Sequence, residues 1–156
     1  MWMSDALLSR RAVLGAGLAA TVVSLWSPAA DAAERVTIYR DPSCGCCEDY
    51  VAYLRRHGFD VTVNSAGAER LAAISRKAGI PPKLAGCHTA FVGGYAVDGL
   101  VPVAAVEKLL KDRPPLKGIT LPGMPAGAPG MTTPKQGTLT VYAVPQRGKP
   151  TVFMTF

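Results

Sequence analysis

The sequence predicts an α/β fold whose elements follow in the order β-α-β-α-β-β-α. Three observations support this class. Short runs alternate apolar and polar side chains as strands do, the segments between them repeat apolar residues at helical spacing, and Gly or Pro residues end most runs. The pattern occupies roughly 120 residues, which is the length of one domain with a single hydrophobic core.

The first predicted strand and helix enclose most of the cysteines. The segment "RVTIYR" alternates β-branched and aromatic side chains and ends at Asp41, as a short strand followed by a turn does. A helix is predicted from Cys47 onward. Its apolar residues Val51 and Leu54 recur at helical spacing, and Gly58 ends it.

The next two elements complete a β-α-β unit. The segment "FDVTVNSA" predicts a second strand, and "AERLAAISRKAG" predicts a helix with Leu71, Ile74 and Ala78 on one face. A helix that crosses between two such strands makes them parallel. The turn that carries Cys44, Cys46 and Cys47, called the cysteine turn, is then at the carboxyl end of the first strand. Open α/β sheets form their sites at this edge.

The remaining elements indicate a thioredoxin-like arrangement. The segment "CHTAFVGGYAVDGLV" contains two strand-like runs joined by Gly93 and Gly94, which predicts a hairpin. The segment "PVAAVEKLLKDRPP" then predicts a third helix. This order of elements, with cysteines at the first strand-to-helix turn, matches a thioredoxin-like fold.

The C-terminal part is predicted to pack on the same domain. Residues 114–135 are rich in Pro and Gly and lack a helical or strand period, so we interpret them as an extended strap. The last segment, "GTLTVYAVPQRGKPTVFMTF", contains two alternating runs that predict a terminal β-hairpin. The thioredoxin-like domain is thus expected at 34–113, with the strap and hairpin at 114–156.

Residues 1–33 are interpreted as an export signal outside this fold. Arg10 and Arg11 precede an uncharged apolar run at 12–26, and "ADA" at 30–32 supplies small residues suited to signal peptidase. The paired arginines and moderate hydrophobicity resemble twin-arginine signals. We therefore expect a periplasmic protein without stable membrane insertion after cleavage; a retained membrane anchor is the alternative.

The distribution of charge argues against one class of function. The formal net charge is +6, and it stays at +6 without residues 1–33 because that segment holds two basic and two acidic residues. The Lys and Arg residues are scattered and are not interleaved with aromatic side chains. Nucleic-acid binding therefore has little support.

Three of the four cysteines lie within "DPSCGCCEDY". Cys44 and Cys47 have the C-x-x-C spacing of a dithiol redox couple, and a helix N-terminus favours thiolate. In an exported protein, Cys44 with Cys47 and Cys46 with Cys87 are also the obvious pairs of structural disulfides. A zinc site and a soft-metal cluster complete the alternatives.

The arrangement of the thiols favours a cluster of copper ions. A third thiol at Cys46 invites mispairing in a dithiol enzyme, and cysteines within one turn close no long loop for a disulfide to stabilise. Neighbouring Cys46 and Cys47 would strain the backbone if both bound one ion, but they can bind different ions that share bridging sulfurs. Thiolates at low coordination number suit Cu(I). We therefore predict that copper binds to Cys44, Cys46, Cys47, Cys87 and His88.

Other candidate ligands have simpler interpretations. His88 follows Cys87, so ligation or support of a ligand is favoured over a plain polar role at a strand end. His57 lies at a predicted helix end, where a capping role is expected. Met124 and Met131 offer thioether sulfurs, but packing of the strap is their expected role.

Three segments together resemble the periplasmic CopG-like copper-resistance family: "YRDPSCGCC", "GIPPKLAGCHTAFVGGYAVDG" and "LPGMPAGAPGM". The resemblance implies a thioredoxin-like domain that binds several copper ions in copper detoxification, with a change of copper oxidation state as an associated role. The four cysteines match the family's cysteine positions, and His88 matches the adjacent histidine. One departure is Leu100 in "DGLVP", where relatives often have histidine. If that histidine binds copper in relatives, the resemblance implies a reduced site here.

Three functions remain in competition. The favoured one is an exported protein that holds several Cu(I) ions and acts in copper resistance by sequestration, transfer or Cu(I)/Cu(II) conversion, alongside other periplasmic copper-handling proteins. The alternatives are a periplasmic thiol-disulfide oxidoreductase that uses Cys44 and Cys47, and an interaction module stapled by disulfides. No hydrolase or transferase site is recognisable in the sequence.

Overall fold

The computed structural model describes residues 32–156, so the predicted signal at 1–33 lies almost entirely outside the described residues. The predicted mixed α/β fold is confirmed. None of the helices in this part of the chain is long and apolar enough to cross a membrane. A 3-10 turn at Pro82–Leu84 precedes the third strand, and the other elements are β1 (Arg35–Arg40), α1 (Gly45–Arg56), β2 (Asp60–Ser65), α2 (Ala68–Lys77), β3 (His88–Val92), β4 (Tyr95–Asp98), α3 (Val103–Asp112), β5 (Leu116–Thr120), β6 (Thr140–Pro145) and β7 (Thr151–Thr155).

One seven-stranded sheet runs through the described residues in the order β2-β1-β3-β4-β5-β6-β7. β1 and β2 are parallel, as the β-α-β unit predicts. β1 and β3 are antiparallel, and Arg40 at the end of β1 pairs with His88 at the start of β3. The turn that follows β1 and the loop that precedes β3 therefore meet at one edge of the sheet.

The hydrophobic core lies mainly between the sheet and helices α1 and α3. α1 buries Tyr50, Val51 and Leu54, and α3 buries four apolar side chains in the same cluster. Burial of each large apolar side chain stabilises the fold by about 1.5–3 kcal/mol. α2 lies on the opposite face, where the Ser75 hydroxyl donates a hydrogen bond to the Asp98 carboxylate. The helix that begins at the cysteine turn, α1, is therefore anchored to the core by its buried face.

Two boundaries differ from the sequence-based expectations. α1 begins at Gly45, two residues earlier than predicted, so Cys46 and Cys47 belong to its first turn. Residues 116–120, predicted as the start of the strap, form β5, which is parallel to β4. Gly118 interrupts the apolar alternation of this short segment, and a Cβ atom there would overlap the backbone of β4. Pairing with β4, rather than local pattern, makes this segment a strand.

The predicted terminal hairpin is present as β6 and β7. β6 pairs antiparallel with β5, and β7 pairs antiparallel with β6. The hairpin therefore extends the same sheet, a placement that the sequence left open.

Because β5 takes up the start of the predicted strap, the strap in the structure is residues 121–139, between β5 and β6. It lies against the cysteine turn. Gly123 forms an isolated parallel bridge with Gly86, in the loop that carries the fourth cysteine. Gly130 has a φ of +89° and packs so closely on α1 that a Cβ atom there would overlap the carbonyl oxygen of Cys46. The strap is therefore held against both segments that carry cysteines.

We expect Gly130→Ala to destabilise the fold more than a similar substitution at an open position. Gly130 and Gly148 both have positive φ, but a Cβ atom at Gly148 would meet nothing within 4 Å. Backbone strain of about 1–2 kcal/mol is common to both substitutions, whereas overlap with α1 adds about 1–3 kcal/mol at Gly130. Urea titration measures the free energy of unfolding of Gly130→Ala and Gly148→Ala. Equal losses would contradict tight packing of the strap on α1.

Candidate metal centre

Four cysteine sulfur atoms meet where the turn after β1 approaches the loop before β3. The Sγ atoms of Cys44, Cys46, Cys47 and Cys87 all lie within 4.8 Å of one another. Three of these residues come from the N-terminal end of α1, and the fourth immediately precedes β3. The structure thus brings together all the cysteines that the sequence singled out.

Local hydrogen bonds shape the turn that carries the first three cysteines. The Asp41 carboxylate accepts hydrogen bonds from the hydroxyl of Ser43 at 2.5 Å and from its amide at 2.8 Å, and these contacts lower the pKa of Asp41. The Arg40 guanidinium donates to the carbonyl oxygens of Asp41 and Pro42. The Cys44 amide donates to the Asp41 carbonyl at 3.1 Å. This turn leaves Cys44 in an extended conformation as the N-cap of α1.

Cys44 and Cys47 form a disulfide across the first turn of α1. Cys46 and Cys87 are free thiols, both partly buried. The Cys46 Sγ lies 3.3 Å from the Cys44 Sγ. Of the two structural disulfides considered from the sequence, the described residues contain only the first. The site therefore offers two thiols with the disulfide closed and four with it reduced.

The strap brings a thioether to the same place. The Met124 Sδ lies 3.6 Å from the Cys46 Sγ, and 54% of the Met124 surface is exposed. Met131 is partly buried against the core, as the expected packing role requires, whereas Met124 is more exposed and makes its contact with the Cys46 thiol. No spacing signal in the sequence marks this contact, because the two residues are 78 positions apart and only the path of the strap joins them.

His88, the first residue of β3, lies next to the thiols and is only 1% exposed. Its Nδ1 atom is 3.4 Å from the Cys87 Sγ, and its ring packs on that of Tyr50 with centroids 4.7 Å apart. Its Nε2 atom has no hydrogen-bond partner among the described residues. Burial lowers the pKa of His88 to about 3. The imidazole is therefore neutral near pH 7, the form that binds metals.

Burial also changes the acidity of Cys87. The pKa of the Cys87 thiol is raised to about 12, mainly by burial and in addition by the neighbouring Cys46. This thiol is therefore protonated near pH 7 in the metal-free protein, and metal binding has to release its proton. Such a site is well suited to a soft cation, which stabilises the thiolate on binding. It is less suited to a reaction that needs a free thiolate nucleophile.

A buried carboxylate that the sequence analysis missed lies beside the Cys87 segment. Asp98 is 1% exposed, and its carboxylate accepts hydrogen bonds from the Gly86 amide, the Thr89 hydroxyl and the Ser75 hydroxyl at 2.5, 2.7 and 3.1 Å. Burial raises the pKa of Asp98, and the hydrogen bonds oppose that change. The signal in the sequence is an acidic residue that ends the otherwise apolar strand "YAVD".

A cavity of about 380 Å³ opens beside the sulfur atoms. Cys44, Cys87 and Met124 contribute to its wall, together with apolar side chains of α2. A small ion or ligand in this cavity can therefore approach the Cys87 thiol and the Met124 thioether.

Two other residues singled out from the sequence are not placed as ligands. His57 is exposed at the end of α1, where its Nδ1 lies 2.8 Å from the Tyr53 carbonyl oxygen, which fits the expected capping role. Leu100 is fully buried in the hydrophobic core and supplies no donor atom. This chain therefore lacks an imidazole at position 100.

The donor atoms at this site are chemically soft. Reduction of the disulfide makes four thiols available, and a thioether and a neutral imidazole lie within 3.6 Å of two of them. Hard cations such as Ca²⁺ and Mg²⁺ prefer oxygen ligands, whereas Cu(I) prefers thiolate and thioether sulfur. The residues present therefore fit copper.

Comparisons with known proteins point to the same metal. A solved structure of "Copper resistance protein copG", form 2, is 34% identical to this chain with a TM-score of 0.72, and the match covers 80% of this chain and 98% of that chain. The chain belongs to the CopG copper-resistance family. Form 1 is 33% identical, with a TM-score of 0.71 and coverage of 78% and 96%. Residues 84–131 also match a family model described as "Protein of unknown function, DUF411". No curated protein matches the chain.

Membership of the CopG family confirms the resemblance found in the sequence. Together with a cysteine cluster able to bind metal, it supports copper handling by this protein. The DUF411 match begins at the last residue of the 3-10 turn and runs through the Cys87 segment to Met131 in the strap. It therefore excludes β1 and the first three cysteines, which lie in the longer match to the CopG structures.

We expect the metal-free protein to lose stability through His88 as the pH falls below about 6.5. The pKa of this residue is about 3 in the folded chain and about 6.5 in an unfolded chain. Between these values the unfolded state binds the additional proton, so falling pH favours unfolding. The loss is roughly 4 kcal/mol at pH 3. The measurement is the free energy of unfolding as a function of pH for the parent and His88→Leu.

The matched control is His57→Gln, which removes the chain's other histidine from an exposed position. His88→Leu is expected to flatten the pH profile because leucine does not titrate. A His88→Leu profile with the same slope as the parent between pH 6.5 and about pH 4 would contradict the prediction, whatever the absolute stability of the variant.

Proposed function

We propose that this CopG-family protein is exported to the periplasm and holds several Cu(I) ions on its thiolates as part of copper resistance. The observation that carries the proposal is the gathering of four thiol sulfurs within 4.8 Å of one another. The thioether of Met124 and the imidazole of His88 add two further donors that suit Cu(I). Copper is the cargo in this proposal, and its handling comprises sequestration, transfer or Cu(I)/Cu(II) conversion.

The two adjacent cysteines have different surroundings. Cys46 is partly buried and faces Met124, whereas Cys47 is fully buried with its Sγ 3.7 Å from the Cys87 carbonyl oxygen. This difference supports binding to separate ions that share sulfur bridges. The proposed roles are bridging for Cys46 and Cys47, completion of the cage for Cys44 and Cys87, and ligation or ligand orientation for His88.

Copper loading requires the Cys44–Cys47 disulfide to be reduced. The cytoplasm keeps thiols reduced, and twin-arginine signals serve proteins that fold before export. Arg10 and Arg11 support this route. In the proposed organisation, a cleaved signal at 1–33 precedes the metal-binding domain at 34–113, and residues 114–156 pack on that domain. Thiolates loaded before export are then protected in the oxidising periplasm.

Metal analysis with thiol counting tests the copper site. Protein purified anaerobically from copper-supplemented cells is expected to carry several copper ions per chain, with thiols that resist alkylation until a Cu(I) chelator is added. Cys46→Ser is expected to lose at least about half of the copper because it removes a bridging sulfur. Glu48→Gln, which alters an exposed side chain in the same turn, is the matched control and is expected to keep the parent content.

Two results would contradict the copper site. One is parent protein without copper and with all cysteines in disulfides. The other is a full copper content in Cys46→Ser, because a bridging thiolate cannot be replaced by a hydroxyl without loss of copper.

A periplasmic thiol-disulfide oxidoreductase is the second candidate. The observation that favours it is the Cys44–Cys47 disulfide at the N-terminus of α1, a position that lowers thiol pKa values in dithiol enzymes. Such an enzyme passes two electrons and two protons from its dithiol to a substrate disulfide.

Insulin reduction with dithiothreitol as electron source separates the two candidates. We expect the metal-free protein to add no turnover to that of dithiothreitol alone, because Cys46 lies 3.3 Å from Cys44 and offers a competing thiol. Robust turnover that persists in Cys46→Ser would favour the oxidoreductase over the copper site.

A further inference from the structure

We propose that Asp98 is the positioning residue that holds Cys87 against the sulfur atoms of the other three cysteines. Its carboxylate accepts hydrogen bonds from the Gly86 amide and from the Thr89 hydroxyl. These two donors bracket Cys87 and His88 in the sequence. One buried carboxylate therefore holds both ends of the short segment that carries the fourth thiol.

The carboxylate also ties this segment to other elements. The Ser75 hydroxyl of α2 donates to it at 3.1 Å, and Asp98 itself ends β4. A Cβ atom at Gly86 would overlap the backbone of Gly99, and a Cβ atom at Gly99 would overlap the carbonyl oxygen of Leu121. The Gly99 amide donates to the His88 carbonyl at 2.9 Å. The Cys87 segment is thus clamped against the end of β4 by side-chain and backbone contacts together.

The fourth thiol needs such a clamp more than the other three do. Cys44, Cys46 and Cys47 are placed together by one helical turn. Cys87 is 40 positions beyond Cys47 and lies in a loop, so only tertiary contacts set the position of its Sγ. Loss of those contacts would move one sulfur away from the rest without altering the turn.

A carboxylate is well suited to this role. An ionised carboxylate accepts several hydrogen bonds and donates none, so it satisfies all three donors at Asp98. Hydrogen bonds to a charged acceptor are shorter and stronger than neutral ones. Asparagine keeps the shape and can direct its oxygen to the Gly86 amide, because the two hydroxyls are able to accept from its NH₂ group. Alanine leaves all three donors without a partner.

This inference gives a structural basis to the proposed function, but its test does not require copper. In a Cys44→Ser/Cys47→Ser chain, Cys46 and Cys87 are the two remaining cysteines. Phenylarsine oxide binds two neighbouring thiols: two As–S bonds form, and the oxygen of the arsenical leaves with both thiol protons as one water. Arsenic and sulfur keep their oxidation states. The rate of this bridging, measured by intact mass, reports whether the two sulfurs are held together.

In that background, Asp98→Ala is expected to slow bridging about fivefold, because it leaves buried donors without a partner. Thr89→Val is expected to slow it about twofold, because it removes one contact. Asp98→Asn is expected to restore most of the rate. Tyr95→Phe is the matched control, since it removes a hydrogen bond to the Pro114 carbonyl at the other end of β4. It is expected to bridge at the parent rate, which separates positioning of Cys87 from a general loss of stability.

A folded Asp98→Ala variant that bridges at the parent rate would overturn the inference. If Asp98→Ala does not fold, Ser75→Ala and Thr89→Val decide, and parent rates in both would overturn it. Copper analysis of the four-cysteine protein separates this outcome from failure of the proposed function. Parent protein without copper contradicts the proposed function while the arsenical rates still decide on Asp98. A copper-loaded parent with less copper in Asp98→Ala supports both.

Discussion

The candidate site depends on the antiparallel pairing of β1 with β3. Arg40 at the end of β1 lies opposite His88 at the start of β3. Because the two strands run in opposite directions, the turn that leaves β1 and the loop that enters β3 are at the same edge of the sheet. This register brings Cys87 to the first turn of α1. A shift by one residue would turn every side chain of β3 to the other face and remove His88 from the thiols.

Burial then selects the chemistry that the site can perform. The surroundings that bury His88 keep its imidazole neutral, and those that bury Cys87 keep its thiol protonated in the absence of metal. Asp98 is buried nearby, but its carboxylate is occupied by three internal donors. The groups that remain for a ligand are sulfur atoms and a neutral nitrogen. A soft cation that can displace thiol protons is therefore favoured over a hard cation that needs oxygen.

The strap completes the site because small residues let its backbone approach α1. Gly130 lies against the carbonyl oxygen of Cys46, and Gly123 bridges the loop before Cys87. Met124 is more than half exposed, so its thioether lies between solvent and the Cys46 thiol. The strap therefore covers the first turn of α1 and also presents a sulfur atom at the surface.

The sequence by itself determined the order β-α-β-α-β-β-α, the parallel β1–β2 pair and the family, because local periodicity and a dense cysteine motif survive in one dimension. It also singled out the cysteines and His88, since adjacent chemistry is visible as adjacent letters. Tertiary structure decided that residues 116–120 form a strand, because pairing with β4 outweighs their weak pattern. It also decided the contact of Met124 with Cys46 and the role of Asp98. Those depend on side chains 78 and 12 positions from their partners, and no local pattern records how a chain folds back over such separations.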